Sequence, residues 1–289
     1  MNLSWSDKSL FHGRYCGGGV RVSIAGLSTA CIILHLIFLL FISLPSGLSA
    51  EEATFAVISD THVGNIDSVY SSLIWLLRNE QINLIIHSGD AIRDPGDANQ
   101  WKKFTGLPGR RQTIYVAAGN HDIEDQKSFE VFLQFFHEPY RSFSSGNAMF
   151  ILLNTEVPGE KGRIAGKQLE WLKGELKKPF RYKFVFLHQP PLILTPRGAV
   201  VHDKAHENLH ELFAQNGVSV VFSGHYHVYS RSTKDGVVYV TMPPGMRQWS
   251  QVLTGIDPGY MVATWTKGGF IFKLKDLRRK TRDEFLVVR

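Results

Sequence analysis

From residue 51 to residue 289 the chain has no cysteine, because Cys16 and Cys31 both fall within the first fifty residues. No disulfide framework can hold that region, so its stability has to come from packing and from bound metal. Net charge is also scarce: 32 basic against 26 acidic side chains leave only +6. An excess this mild gives no electrostatic footprint for nucleic acid, which is not expected as a partner. Internal repeats, low-complexity stretches and interdomain linkers are absent too. A composition 44% apolar and 12% aromatic supplies a sizeable core, and one main domain is expected over residues 51–289.

The first fifty residues are different in kind. Val22 to Leu44 is almost continuously apolar, with Lys8, Arg14 and Arg21 before it, which is the layout of an export signal. Pro45 and Gly47 break the run, and Gly47, Ser49 and Ala50 offer a cleavage region before Glu51. The run is also long enough to span a bilayer, since about 20 apolar residues suffice. The leader is therefore either a cleaved signal peptide or an uncleaved membrane anchor. Under both readings the basic flank stays in the cytoplasm and the following domain is exported. It would be periplasmic, extracellular, or membrane-anchored outside the cytoplasm, and contact with a membrane is expected only if the leader is retained.

Beyond the leader, short apolar runs alternate with amphipathic stretches. Thr54 to Ser59, Leu84 to Ser88, Ile114 to Ala118, Met149 to Asn154, Tyr182 to Leu187 and Val218 to Ser223 read as strands buried on both faces. Helical spacing covers Ser68 to Arg78, with Asp67 as its cap, then Ser128 to His137, Gln168 to Lys178 and Lys204 to Gln215. Later come Val237 to Met242, Tyr260 to Thr266 and Phe270 to Leu274, strands with no helix between them, the last two joined as a hairpin by Lys267-Gly268-Gly269. The pattern predicts an α/β domain, largely parallel in its first half and more antiparallel in its second. Two clusters have plain readings. Arg278, Arg279, Lys280 and Arg282 read as a solvated end, and His202, His206 and His210, at spacing four, read as a polar helix edge, with a further metal site as the alternative.

Function is carried by the short polar signatures that end several of the strands. In order come Asp60-Thr61-His62, Gly89-Asp90, Gly119-Asn120-His121-Asp122, His188 and Gly224-His225-Tyr226-His227. Carboxylate oxygen and neutral imidazole suit Mn, Fe, Zn or similar ions, and this set exceeds what one ion needs. A carboxylate shared between ions about 3.5–4 Å apart is the usual economy of two-metal hydrolytic sites. Gly89, Gly119 and Gly224 would let backbone approach such a centre closely.

The series resembles the calcineurin-like metallophosphoesterase superfamily over residues 54–245. The resemblance implies two packed mixed β-sheets flanked by helices. It implies that Asp60, His62 and His227 hold one of two divalent or trivalent ions, that Asn120, His188 and His225 hold the other, and that Asp90 bridges them. It also implies that His121 faces the substrate as the catalytic group. A metal-bridging hydroxide would then attack the phosphorus of a phosphate monoester or diester, with His121 as general acid. No large insertion interrupts the motifs, so an open site that takes a small-molecule ester is expected.

Asp122 is a candidate to hold the His121 ring. Many relatives carry an acidic or amide residue three places after the bridging Asp, and this chain has Arg93 there, followed by Asp94. Either Asp94 substitutes through a shifted loop, or something else orients His121; Arg93 is a candidate phosphate contact. Purple acid phosphatases share the layout and use a tyrosine ligand soon after the Gly-Asp pair. Asp90 to Trp101 contains no tyrosine, so a tyrosinate-iron site is not expected. The competing reading is a catalytically inactive exported module that keeps the fold and its metals for binding or scaffolding.

Overall fold

The computed structural model describes residues 54–194, 200–202, 209–247 and 257–289. The leader and residues 204–208 of the expected Lys204–Gln215 helix, His206 among them, lie outside them. In chain order the elements are β1 (Thr54–Ile58), α1 (Tyr70–Asn79), β2 (Leu84–His87), α2 (Ala98–Gly106), β3 (Thr113–Val116), α3 (Gln126–Phe136), β4 (Arg141–Ser145), β5 (Ala148–Leu152), α4 (Gly166–Leu176), β6 (Tyr182–Phe186), β7 (Leu192–Leu194), β8 (Val200–His202), α5 (Leu209–Gln215), β9 (Val220–Ser223), β10 (Ser230–Lys234), β11 (Val237–Thr241), β12 (Gly259–Thr266), β13 (Gly269–Asp276) and β14 (Thr281–Val287).

Two six-stranded mixed sheets form the frame, in the orders β14-β13-β12-β1-β2-β3 and β10-β11-β9-β6-β5-β4. The first keeps β1, β2 and β3 parallel and adds β12 antiparallel to β1. The second keeps β5, β6, β9 and β11 parallel between antiparallel edges β4 and β10. This is the sandwich the sequence predicts. Among the described residues, no helix is long and apolar enough to cross a membrane.

Alternation along the strands divides the interior into layers. Phe55 and Val57 of β1 point into an aromatic layer between the sheets, with Phe150, Phe184, Phe186, Phe222, Phe270 and Phe272. Ala56 and Ile58, one residue out of phase, point to the opposite face and pack with Leu73, Trp101 and Phe132 of α1, α2 and α3. The outer face of the second sheet buries Ile151, Val185 and Val221 against Leu172 of α4 and Phe213 of α5. Lys183, at an inward position of that face, donates to the carbonyls of Leu176 (2.5 Å) and Asn216 (2.9 Å). One ammonium thereby satisfies backbone acceptors left over at two helix ends.

Four differences from the sequence reading have physical causes. Helix α2 has no apolar periodicity to announce it. It buries only Trp101 and Phe104 and depends on Asp97, whose side chain accepts from the amides of Asn99 and Gln100. Strands β4, β10 and β14 are polar and partly exposed, so no apolar run marks them either. The Arg278–Arg282 cluster is solvated, as expected, but it is a turn and not an end: Asp276 accepts from the amides of Arg278 and Lys280, and the chain turns there into β14, which contains Arg282. Finally, α1 takes its cap position at Val69 with no side-chain cap, not at Asp67.

Phe55 is the hub of the inter-sheet layer, its ring 4.9 Å from that of Phe150 and 5.4 Å from that of Phe184. Phe55→Ala is expected to lower unfolding free energy by about 3–5 kcal/mol in a urea titration. A loss below about 1 kcal/mol would show that the two sheets do not depend on this layer.

Candidate metal centre

Strands β1, β2 and β3 run parallel, as do β6 and β9, and each sends its next residues into one crevice at the carboxyl edge of the sandwich, where α/β sheets commonly bind ligands. Backbone hydrogen bonds lace the turns together. Asp60 N–H donates to Gly89 O (2.9 Å), His62 N–H to Asp90 O (3.0 Å) and Gly224 N–H to His188 O (3.0 Å). Asp60, His62, Asp90, His225 and His227 all have left-handed backbone, with φ of 50°, 41°, 55°, 74° and 53°. Such conformations are uncommon for residues with a Cβ and persist where the surroundings over-determine them.

All seven expected ligands converge. One donor atom from each of Asp60, His62, Asp90 and His227 lies within 4.8 Å of the others. Within this group, His227 Nε2 is 3.2 Å from Asp60 Oδ1 and 3.3 Å from His62 Nε2. Beside it, Asn120 Oδ1 is 3.1 Å from His188 Nε2 and 3.0 Å from His225 Nδ1, and those two nitrogens are 3.3 Å apart. Asp90 stands between the groups, with Oδ2 3.7 Å from His62 Nε2 and 3.3 Å from His188 Nε2. Added Cβ atoms at Gly119 and Gly224 would collide with the carboxylates of Asp90 and Asp60, and one at Gly89 with the His188 ring. These glycines therefore make room for the donors.

The electrostatics call for a cation. Burial pushes His62 down to about 4, leaving it neutral near neutral pH. Burial also lowers His225, with His188 adding to the effect. His188 behaves in the opposite way: burial lowers it, but the charge and hydrogen bond of Asp90 outweigh that and raise it to about 10. His188 Nδ1–H is committed to Ser88 O at 3.0 Å, which aims Nε2 into the cluster. Two buried carboxylates among facing lone pairs thus attract positive charge wherever it can be had, and the donor set fits metal ions.

His121 sits at the rim, its ring centroid 4.7 Å from that of His62. Its backbone N–H donates to Asp90 Oδ1 at 2.8 Å. Its Nδ1 is 2.8 Å from the carbonyl of Arg93, which can only accept, so Nδ1 carries the proton. The orienting partner is therefore the main chain at position 93, not Asp94. Arg93 and Asp94 instead pair with each other, Nη2 to Oδ2 at 2.6 Å, both about half exposed.

Asp122 is corrected as well. It does not hold the His121 ring. Its Oδ1 accepts from Ala91 N–H (2.9 Å) and Ile92 N–H (3.1 Å), and its Oδ2 from Gly119 N–H (2.9 Å). Burial and the Asp90 charge push its carboxyl up to about 8, against the pull of the N–H donors. Its role is to clamp the turn after β3 to the turn after β2.

One contributor escaped the sequence reading. His87, fully buried beneath the centre, accepts from Gly89 N–H at Nδ1 (3.2 Å) and lies 2.9 Å from Thr61 Oγ1 at Nε2. Burial pushes it down to about 3, so it is neutral and ties the first two turns together. The signal that could have found it is an imidazole inside an otherwise apolar strand, Leu84-Ile85-Ile86-His87. His210, by contrast, is buried on α5 and bonds Tyr239 and Asp235 in a structural network, and His202 ends strand β8, so the two do not share the polar helix edge that their spacing suggests; His206 and the side chain of His202 lie outside the described residues.

A model of the calcineurin-like phosphoesterase family matches residues 53–229. The chain belongs to that family. Among curated relatives it is 28% identical to purple acid phosphatase 15 of Arabidopsis thaliana over 185 residues, covering 55% of this chain and 34% of that one. It is 29% identical to the serine/threonine-protein phosphatase CPPED1 of Danio rerio over 138 residues, covering 43% and 45%. The chain thus spans less than half the length of these two relatives. Among solved structures, the purple acid phosphatase PPD1 of yellow lupin, Lupinus luteus, shares the fold with a TM-score of 0.67 at 16% identity, over 83% of this chain and 54% of that one.

The clamp role of Asp122 has a direct test. Asp122→Ala strands three buried N–H groups and is expected to destabilise the fold by on the order of 3 kcal/mol in urea unfolding, with metal binding weakened in parallel. Unchanged stability with activity alone lost would return Asp122 to the His121 ring.

Proposed function

We propose that this calcineurin-like phosphoesterase is an active binuclear enzyme that hydrolyses a phosphate monoester or diester, and that its domain works outside the cytoplasm. The observation that carries the proposal is the position of Asp90, whose Oδ2 lies 3.7 Å and 3.3 Å from a ring nitrogen of each of two donor groups. Asp60, His62 and His227 would hold one ion, Asn120, His188 and His225 the other, and Asp90 both. Bound there, two such ions would neutralise phosphoryl charge and make a water acidic enough to act near neutral pH. Export rests on the leader pattern alone.

The chain's own groups do the rest. His121 is fixed at both ends, by its N–H on Asp90 and its Nδ1–H on the Arg93 carbonyl, so Nε2 is the atom left for chemistry. Protonated, it can give its Nε2 proton to the leaving oxygen as the P–O bond breaks. Ser88 O fixes the tautomer of His188, and Asp122 and His87 hold the turns so that the donors need little rearrangement.

Purified protein is expected to hydrolyse an aryl phosphate, or the matching diester, only with metal. Chelation should abolish turnover and Mn2+ should restore it. His121→Ala is expected to lower kcat about 10²–10⁴-fold with bound metal retained, and Asp90→Asn to lose both metal and turnover. Full activity in metal-stripped protein or in Asp90→Asn would refute the two-ion reading. Bound metal without hydrolysis of either ester would favour the scaffold alternative.

A further inference from the structure

We propose that Gln100 is a positioning residue for proton transfer by His121, an inference that rests on the phosphoesterase reading above. His121 has no carboxylate or amide side chain on Nδ1; it depends on one main-chain carbonyl, that of Arg93, at 2.8 Å. Where that carbonyl points is decided by the loop 91–97, and Gln100 sets the loop. From the first turn of α2, its Oε1 accepts from Arg93 N–H (2.9 Å) and Asp94 N–H (3.1 Å). Its Nε2 donates to Asp94 Oδ2 (2.5 Å) and to Asp97 Oδ2 (3.1 Å).

The amide is itself well anchored. Asp97 caps α2 and accepts from Gln100 N–H at 3.1 Å, so helix start and side chain are locked to each other. On its other side lies Gly64, two residues beyond His62, where an added Cβ would meet the Gln100 amide carbon at 2.5 Å. Val63 O shares Arg93 N–H at 3.1 Å, so the turn bearing His62 and the loop bearing Arg93 are held in one register. A chain of contacts therefore runs from α2 through Gln100 to the peptide of Arg93 and on to the His121 ring. It also accounts for an arginine at position 93: the peptide supports the imidazole, and the side chain is left to pair with Asp94.

Misplacing a proton donor slows ester cleavage only when the leaving oxygen needs the proton. Full-length protein loaded with Mn2+ would be assayed on phenyl phosphate and p-nitrophenyl phosphate, or on the corresponding diesters. For Gln100→Ala, kcat on the phenyl ester is expected to fall about tenfold to a hundredfold, as small displacements of catalytic groups do. On the p-nitrophenyl ester, whose anion departs unaided, it should stay within about twofold. Bound metal and the urea midpoint should match wild type. Gln100→Asn, one methylene short, should repeat the pattern. Equal losses on both esters, or no loss on either, would overturn the role of Gln100. A wild type inactive on every ester would overturn the phosphoesterase reading and this inference with it.

Discussion

Two carboxylates, Asp60 and Asp90, are buried side by side with imidazole and amide lone pairs turned toward them, and that crowding of negative potential is what the rest of the molecule has to accommodate. Burying an ion without a partner costs several kcal/mol. Protons answer part of the demand, which is why His188 is driven up to about 10. Neutral His62 cannot serve in that way, and its ring nitrogen faces that of His227 at 3.3 Å. A bound cation at the group formed by Asp60, His62, Asp90 and His227 would meet the rest.

Holding the donors in that arrangement requires conformations the chain would not choose locally. Five of the donor residues have positive φ. What compels them is the sandwich underneath: parallel strands deliver the turns to one edge, and Asp122 and His87 bind those turns from below. The aromatic layer around Phe55 gives the strands a rigid base, so strain in the turns is not relieved by movement of the sheets. Stability and site geometry are therefore properties of the same contacts. His121 is the exception, since its orientation rests on a rim loop pinned from α2.

Much of this could be read from the sequence, for a physical reason. Buried parallel strands leave continuous apolar runs, and donors that must sit at strand ends appear directly after them, as in Ile58-Ser59-Asp60 and Phe222-Ser223-Gly224-His225. Polar edge strands such as Ser230–Lys234 carry no such signature, because pairing with β11 and not burial makes them strands. Nor could the sequence choose between neighbours: Asp122 is adjacent to His121 yet points to the opposite side, toward Ala91 and Gly119. The partner of the His121 ring is a backbone carbonyl, which every residue possesses and no motif can reveal.

The central claim is that Asp90 joins two cation sites into one centre. Calorimetric titration of metal-free protein with Mn2+, counting ions bound per chain, tests it most directly. The account predicts two ions for the wild type and a large loss of affinity for both when Asp90 is replaced by alanine. A single bound ion, or two that bind equally well without Asp90, would contradict it.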